Sequence, residues 1–85
     1  MEKKEIISVI AAQMNELFGI KGETVTEDSA LMEDLGLSSF DMLLLLPEIE
    51  NKFGVEFSAG SLRSMITVGD ISDYIIQTSS QSEKG

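Results

Sequence analysis

Apolar residues recur at three- and four-residue spacing in two long stretches of the chain, which predicts two amphipathic helices. In the first, from Glu2 to about Phe18, the apolar positions are Ile6, Ile7, Val9, Ile10, Met14, Leu17 and Phe18. Gly19 offers a left-handed residue to end it, with Ile20 placed to fold back on Met14 in a Schellman-type stop. In the second, Met42, Leu45, Leu46, Ile49 and Phe53 form one stripe, and Gly54 with Val55 repeats the stop. Leu43, Leu44 and Pro47 lie off that stripe; they either complete the core of a bent helix or form a contact patch or the lining of an apolar cavity. Pro47 lacks an amide donor and costs up to ~3 kcal/mol in a helix interior, so a bend near Leu43 to Pro47 is expected.

Between the two helices, Lys21 to Leu37 has no sustained period and reads as a long loop. Val25, Leu31, Leu35 and Leu37 can pin it to the core, with a turn of helix near Ser29. At its end, Leu37-Ser38-Ser39-Phe40-Asp41-Met42 sets the register of the second helix. With Ser38 as N-cap, Asp41 falls at N3 to close a short capping box, and Leu37 meets Met42 as a hydrophobic staple. Capping from Ser39 would break both, so Ser39 is left at the first helical position with its hydroxyl free. Further on, Ser58 can cap a short helix from Ala59 to Met65, with Leu62 and Met65 inward. Thr67-Val68-Gly69-Asp70 is a second capping box, stapled by Ile66 and Ile71, opening a last helix to about Gln77 with Val68, Ile71 and Ile75 inward. Residues 79–85 are polar and are expected to be a disordered tail on a domain of residues 1–78. The predicted fold is all-α: a small four-helix bundle with a long first loop and a short third helix.

Composition narrows the chemistry. The 85 residues carry a formal net charge of −9 and contain neither histidine nor cysteine, which removes the Ser–His–Asp triad, Cys–His nucleophiles and ordinary zinc sites together. The acidity disfavours nucleic acid and anionic membrane surfaces and favours partners with basic patches. The longest apolar run, Met42 to Pro47, is far short of the about 20 residues that span a bilayer, and no signal-peptide layout opens the chain. A monomeric cytoplasmic protein is the expectation.

Ser39 is the leading candidate for chemistry. Neither Lys nor Arg lies near it in sequence, so no local base is at hand to make it a nucleophile in its own right. The position does suit a serine modified by another enzyme, exposed and at a helix N-terminus that favours a phosphate group. The plainer alternative is a helix-start serine without a role. Glu27, Asp28, Glu33, Asp34, Asp41, Glu48 and Glu50 cluster around the loop and second helix, as a solvated surface or as a docking face. The alternating ligands of a calcium loop are not in register from Asp28 to Asp34, and a chain this small is not expected to hold the cleft that paired-carboxylate hydrolysis needs.

Taken together, Asp34-Leu35-Gly36-Leu37-Ser38-Ser39-Phe40-Asp41, the leucine-rich helix ending Ile49-Glu50-Asn51-Lys52-Phe53-Gly54-Val55, and Ile66-Thr67-Val68-Gly69-Asp70-Ile71-Ser72-Asp73-Tyr74-Ile75 resemble the acyl carrier protein family. The likeness runs from the first helix to about Ile75. It implies a four-helix bundle that is not itself an enzyme. It implies that Ser39 receives 4′-phosphopantetheine from coenzyme A through a separate magnesium-dependent transferase, and that acyl groups ride as thioesters on the arm. It also implies docking of acyl-processing enzymes with basic patches on the loop and second helix, through Asp34, Leu37, Phe40, Asp41, Leu44, Glu48 and Glu50. The chain departs from the family pattern in having Ser38 where Asp usually precedes the modified serine. Leu44 and Asn51 stand at positions that are commonly acidic, which points to more apolar docking. Met1 and the short length favour a free-standing carrier; the family also includes polyketide, peptidyl and D-alanyl carriers. The alternative is an unmodified acidic module that binds a basic partner through its second helix.

Overall fold

The computed structural model describes the backbone of residues 2–84 and the side chains of residues 2–79. The elements in order are α1 (Lys3–Phe18), a 3-10 turn (Gly22–Thr24), α2 (Ser39–Phe53), α3 (Ala59–Leu62) and α4 (Val68–Lys84). Among the described residues there is no strand, only an isolated antiparallel bridge between Ala30 and Thr67. α1 packs on both α2 and α4, and the long loop closes the remaining side.

The core follows the helical stripes. Ile6, Ile10 and Met14 of α1, Leu45 and Ile49 of α2, and Val68, Ile71 and Ile75 of α4 are all essentially fully buried. Met42, Leu46 and Phe53 are half-buried against them. The loop contributes Val25, Leu31 and Leu37 to the same core, with Leu35 packed at its edge, as their spacing among polar residues suggested. Leu17 departs from its stripe and is 41% exposed. At that turn Phe18 and, after the reversal at Gly19, Ile20 take the places against the core.

The two glycine stops differ in their bonds. Gly19 (φ 73°) donates to the Asn15 carbonyl at 2.9 Å, the simpler left-handed stop, and Asn15 Nδ2 donates to the Ile20 carbonyl at 3.0 Å. At the end of α2 both Gly54 and Val55 N–H groups reach the Glu50 carbonyl, at 2.8 and 3.2 Å, so only this stop has the Schellman six-to-one bond. α2 runs unbroken through Pro47. Pro47 leaves the Leu43 carbonyl without its helical donor, but Leu43 and Pro47 are both exposed, so water can satisfy that group. Neither Leu43 nor Leu44 completes the core: they are 70% and 46% exposed.

What holds the long loop is backbone pairing with the start of α4, which periodicity could not reveal. Leu31 N–H donates to the Ile66 carbonyl (2.9 Å), Val68 N–H to Ser29 (3.0 Å) and Gly69 N–H to Glu27 (2.9 Å). A tight turn in which the buried Ser29 hydroxyl accepts the Thr26 N–H at 2.9 Å leads into the helical turn expected near Ser29, where the Asp34 N–H donates to the Ala30 carbonyl at 2.9 Å. A three-way ion pair adds to this lacing: Lys3 Nζ of α1 meets Glu27 of the loop and, at 2.9 Å, Asp73 of α4. The hydrogen bonds from Asp73 and Glu27 raise the Lys3 pKa above its ordinary value.

α3 is shorter than its expected Met65 end. Ser58 caps it, accepting the Ser61 N–H at 3.1 Å. The hydroxyls of Ser61 and Ser64 then bond carbonyls three residues back, and Ser64 N–H also turns to Ser61, which tightens the chain out of the α conformation after Leu62. Met65 is buried, whereas Leu62 is 39% exposed. α4 opens with the Thr67–Asp70 capping box at 3.0 and 3.1 Å. Its apolar staple is not formed, because Ile66 is 62% exposed. The Ile66 carbonyl is taken by Leu31 and its N–H by Asp70 Oδ2 (2.9 Å), a backbone placement that leaves its side chain outside the core. The helix extends to Lys84 rather than ending near Gln77. Residues 78–84 contain no Gly or Pro to stop it, and Gly85 lies outside the described residues.

Candidate functional site

The loop and α2 meet at two adjacent serines with different duties. Ser38 has the extended backbone of an N-cap (φ −91°, ψ 171°), and its Oγ accepts the Asp41 N–H at 3.1 Å. Asp41 Oδ2 returns the bond to the Ser38 N–H at 3.0 Å. Leu37 is buried on the near side and Met42 half-buried on the far side, as a staple requires. Ser39 is thereby held at the first position of α2, exposed, and its hydroxyl has no hydrogen-bond partner among the described residues. The Ser39 and Phe40 amides are likewise unpaired in that set, so the helix turns donor groups and the positive end of its dipole toward the space around Ser39.

Ser39 also lines a cleft of about 440 Å³, within the range of small-molecule sites. Its walls are chiefly apolar, with Met42, Leu43 and Leu46 from α2, Met32 from the loop, and Leu62 and Ile66 from the segment around α3. The cleft lies between the loop, α2 and the segment around α3, in line with the apolar-cavity alternative for Leu43. Among the described residues Glu33 is its only lining carboxylate. The exposed Leu43 belongs to this lining. Met32 and Arg63 were not singled out from the sequence, and Ile66 was read only as a staple; the available signal was that Met32 falls in a non-periodic segment and that Arg63 is the single arginine.

The candidate docking residues divide. Phe40 (67% exposed), Leu44 and Glu48 stand free on α2. Asp34 is exposed but accepts the Ala30 N–H at 2.8 Å, closing the loop turn. Asp41 is half-buried in the capping box. Glu50 points back to the protein, accepting the Phe57 N–H at 2.8 Å. Leu37, 5% exposed, is in the core and not available to a partner, since the staple that sets the register of α2 consumes it.

A helical bundle that presents, beside an apolar cleft, an exposed hydroxyl with no partner among the described residues offers a place where a group can be attached and held. Comparison with known proteins agrees. Residues 8–75 match the family model described as the phosphopantetheine attachment site. The chain is 37% identical over 73 residues to the acyl carrier protein of Thermotoga maritima, covering 86% of this chain and 90% of that one. It is 34% identical over 76 residues to the acyl carrier protein of Saccharopolyspora erythraea, covering 89% and 80%. Among solved structures, the acyl carrier protein of Enterococcus faecalis superposes with a TM-score of 0.74 at 28% identity, covering 91% of this chain and 98% of that one. The chain belongs to the acyl carrier protein family, whose prosthetic group is 4′-phosphopantetheine. Among the described residues no helix is long and apolar enough to cross a membrane.

Proposed function

We propose that Ser39 is the attachment residue, its Oγ losing its proton and taking the arm from coenzyme A as a phosphodiester while the pyrophosphate bond breaks and adenosine 3′,5′-bisphosphate leaves, and that the chain carries acyl groups from enzyme to enzyme without catalysing their reactions. The observation that carries this reading is the division between the two serines: Ser38 is consumed by the cap, and Ser39 is exposed with an unbonded hydroxyl on the rim of the cleft. The surroundings suit the group. Two unpaired amides at the start of α2 favour a phosphodiester anion, and the apolar walls of the cleft suit an aliphatic chain. When bound, the arm supplies a thiol, which no side chain here provides. The chain's own residues position and shelter: Ser38 and Asp41 fix the first turn, and Met42, Leu46 and Met32 offer apolar surface to the cargo.

Acyl-processing enzymes with basic patches dock on the exposed face of α2 and the loop, through Phe40, Leu44 and Glu48, with Asp34 and Asp41 adding charge at the edge. The functional unit spans residues 1–78 and works in the cytoplasm. The direct test is intact mass after incubation with coenzyme A, Mg²⁺ and a broad-specificity phosphopantetheinyl transferase. A gain of one phosphopantetheinyl group is expected in wild type and in Ser38→Ala, and none in Ser39→Ala. An unmodified, folded wild-type protein after trials with several transferases would overturn the assignment.

A further inference from the structure

Ser39 shares its cleft with a single cation. Arg63, the only arginine of the chain, follows α3 as its C-cap and lines the same 440 Å³ space. No other basic residue does among the described residues. Lys3 is held between Glu27 and Asp73, but Arg63 makes no ion pair among the described residues, and even Glu33 across the lining is beyond salt-bridge distance. An aliphatic occupant gives a guanidinium nothing. Arg63 is exposed, so its five N–H donors are hydrated, and an aliphatic chain offers them no partner in place of that water. The planar fork of those donors matches the oxygens of a carboxylate or phosphate, and in a chain of net charge −9 it adds to the amides at the start of α2 the one cationic side chain that lines the cleft among the described residues.

We propose that Arg63 is the anion-recognition residue of the cleft, binding a negatively charged oxygen group brought in from Ser39. That group is either the phosphodiester of the arm or a carboxylate at the free end of the cargo. The proposal rests on the Ser39 assignment and makes Arg63 a specificity-determining residue for what is held beside it.

Because the chain has one arginine, its side-chain Nε–Hε group gives one cross-peak in a ¹H–¹⁵N spectrum, observable in the unmutated protein. Four forms are compared: apo, holo, holo loaded with hexanoyl, and holo loaded with adipoyl, which has the same length and a terminal carboxylate. Intact mass verifies each loading. Bonding to an anion is expected to slow exchange of this proton with water about tenfold, the factor set by about 1.4 kcal/mol of hydrogen bonding. Slowing between apo and holo identifies the phosphodiester; slowing only in the adipoyl form identifies the cargo carboxylate. Equal rates in all four forms would overturn the proposal, as would equal slowing by hexanoyl and adipoyl with none in holo, which is burial under any chain. Failure of the protein to gain the arm would instead overturn the Ser39 assignment, and the Arg63 proposal with it.

Discussion

Replacing Ser38 and Ser39 one at a time separates the stability of the site from its chemistry. Ser38→Ala deletes the Oγ that accepts the Asp41 N–H at 3.1 Å, while the return bond from the Ser38 N–H to Asp41 can persist. Loss of an N-cap hydroxyl costs about 1 kcal/mol. In a domain of 85 residues that is a fall in Tm of about 4–8 °C. The native stability expected for this length is about 4–13 kcal/mol, so even at the low end about 3 kcal/mol remains and more than about 99% of Ser38→Ala is folded at 25 °C. Ser39→Ala removes an exposed hydroxyl with no partner among the described residues, so its stability should stay within about 0.5 kcal/mol of wild type. Thermal melts followed by circular dichroism give the first pair of numbers, and intact mass after transferase treatment gives the second. The expected result is crossed: Ser38→Ala melts early and is modified, Ser39→Ala melts normally and is not. Modification lost in Ser38→Ala but kept in Ser39→Ala, or a cap variant that melts with wild type, would refute the division of roles read from the geometry.

The other predictions test the scaffold around the site. A Cβ on Gly69 would lie 2.8 Å from Glu27 Cγ and 2.9 Å from the Glu27 carbonyl oxygen, so Gly69→Ala must push the loop off α4 at a cost of about 1–3 kcal/mol. Faster amide exchange at Leu31 and Gly69 would report that separation. By contrast, Gly60→Ala in α3 meets nothing within 4 Å and should stabilise by about 0.5–1 kcal/mol in urea melts. Leu45→Ala empties a fully buried core position and should cost about 2–5 kcal/mol, whereas Leu43→Ala, at 70% exposure, should stay within about 0.5 kcal/mol while altering retention of a loaded acyl chain. Asp70 is held below its ordinary pKa by the Thr67 and Ile66 N–H groups. Its contribution is therefore present above the ordinary carboxylate value and lost as pH falls through the lower folded one, so urea stabilities of wild type and Asp70→Asn should differ at pH 7 and converge in acid. The sign reverses for Lys3, whose folded pKa is raised by Asp73 and Glu27. Its stabilisation is full below the ordinary lysine value and fades at more alkaline pH, a decline that Lys3→Met should lack.

The sequence by itself determined what is local. Caps at Ser38, Ser58 and Thr67 and stops at Gly19 and Gly54 depend on bonds within a few residues, so they could be read in order along the chain, and with them the free hydroxyl of Ser39. The core stripes were legible for the same reason, since Ile10, Leu45, Ile49 and Ile71 keep the helical period wherever the partner helix lies. The tertiary structure decided what depends on distant segments meeting. Ile66 was read as a staple and Leu62 as core, yet both line a cleft walled on one side by the loop, which pairs with the segment at the start of α4 about 35–42 residues away. Leu37 and Glu50 fit a docking surface by position, but the core claims one and the Phe57 amide the other. The cleft itself, and the meeting of Ser39 with Arg63 across it, join residues from α2 and the end of α3. Neither element's own periodicity encodes that meeting, because side-chain spacing fixes which face of a helix is apolar and leaves open what that face will find opposite it.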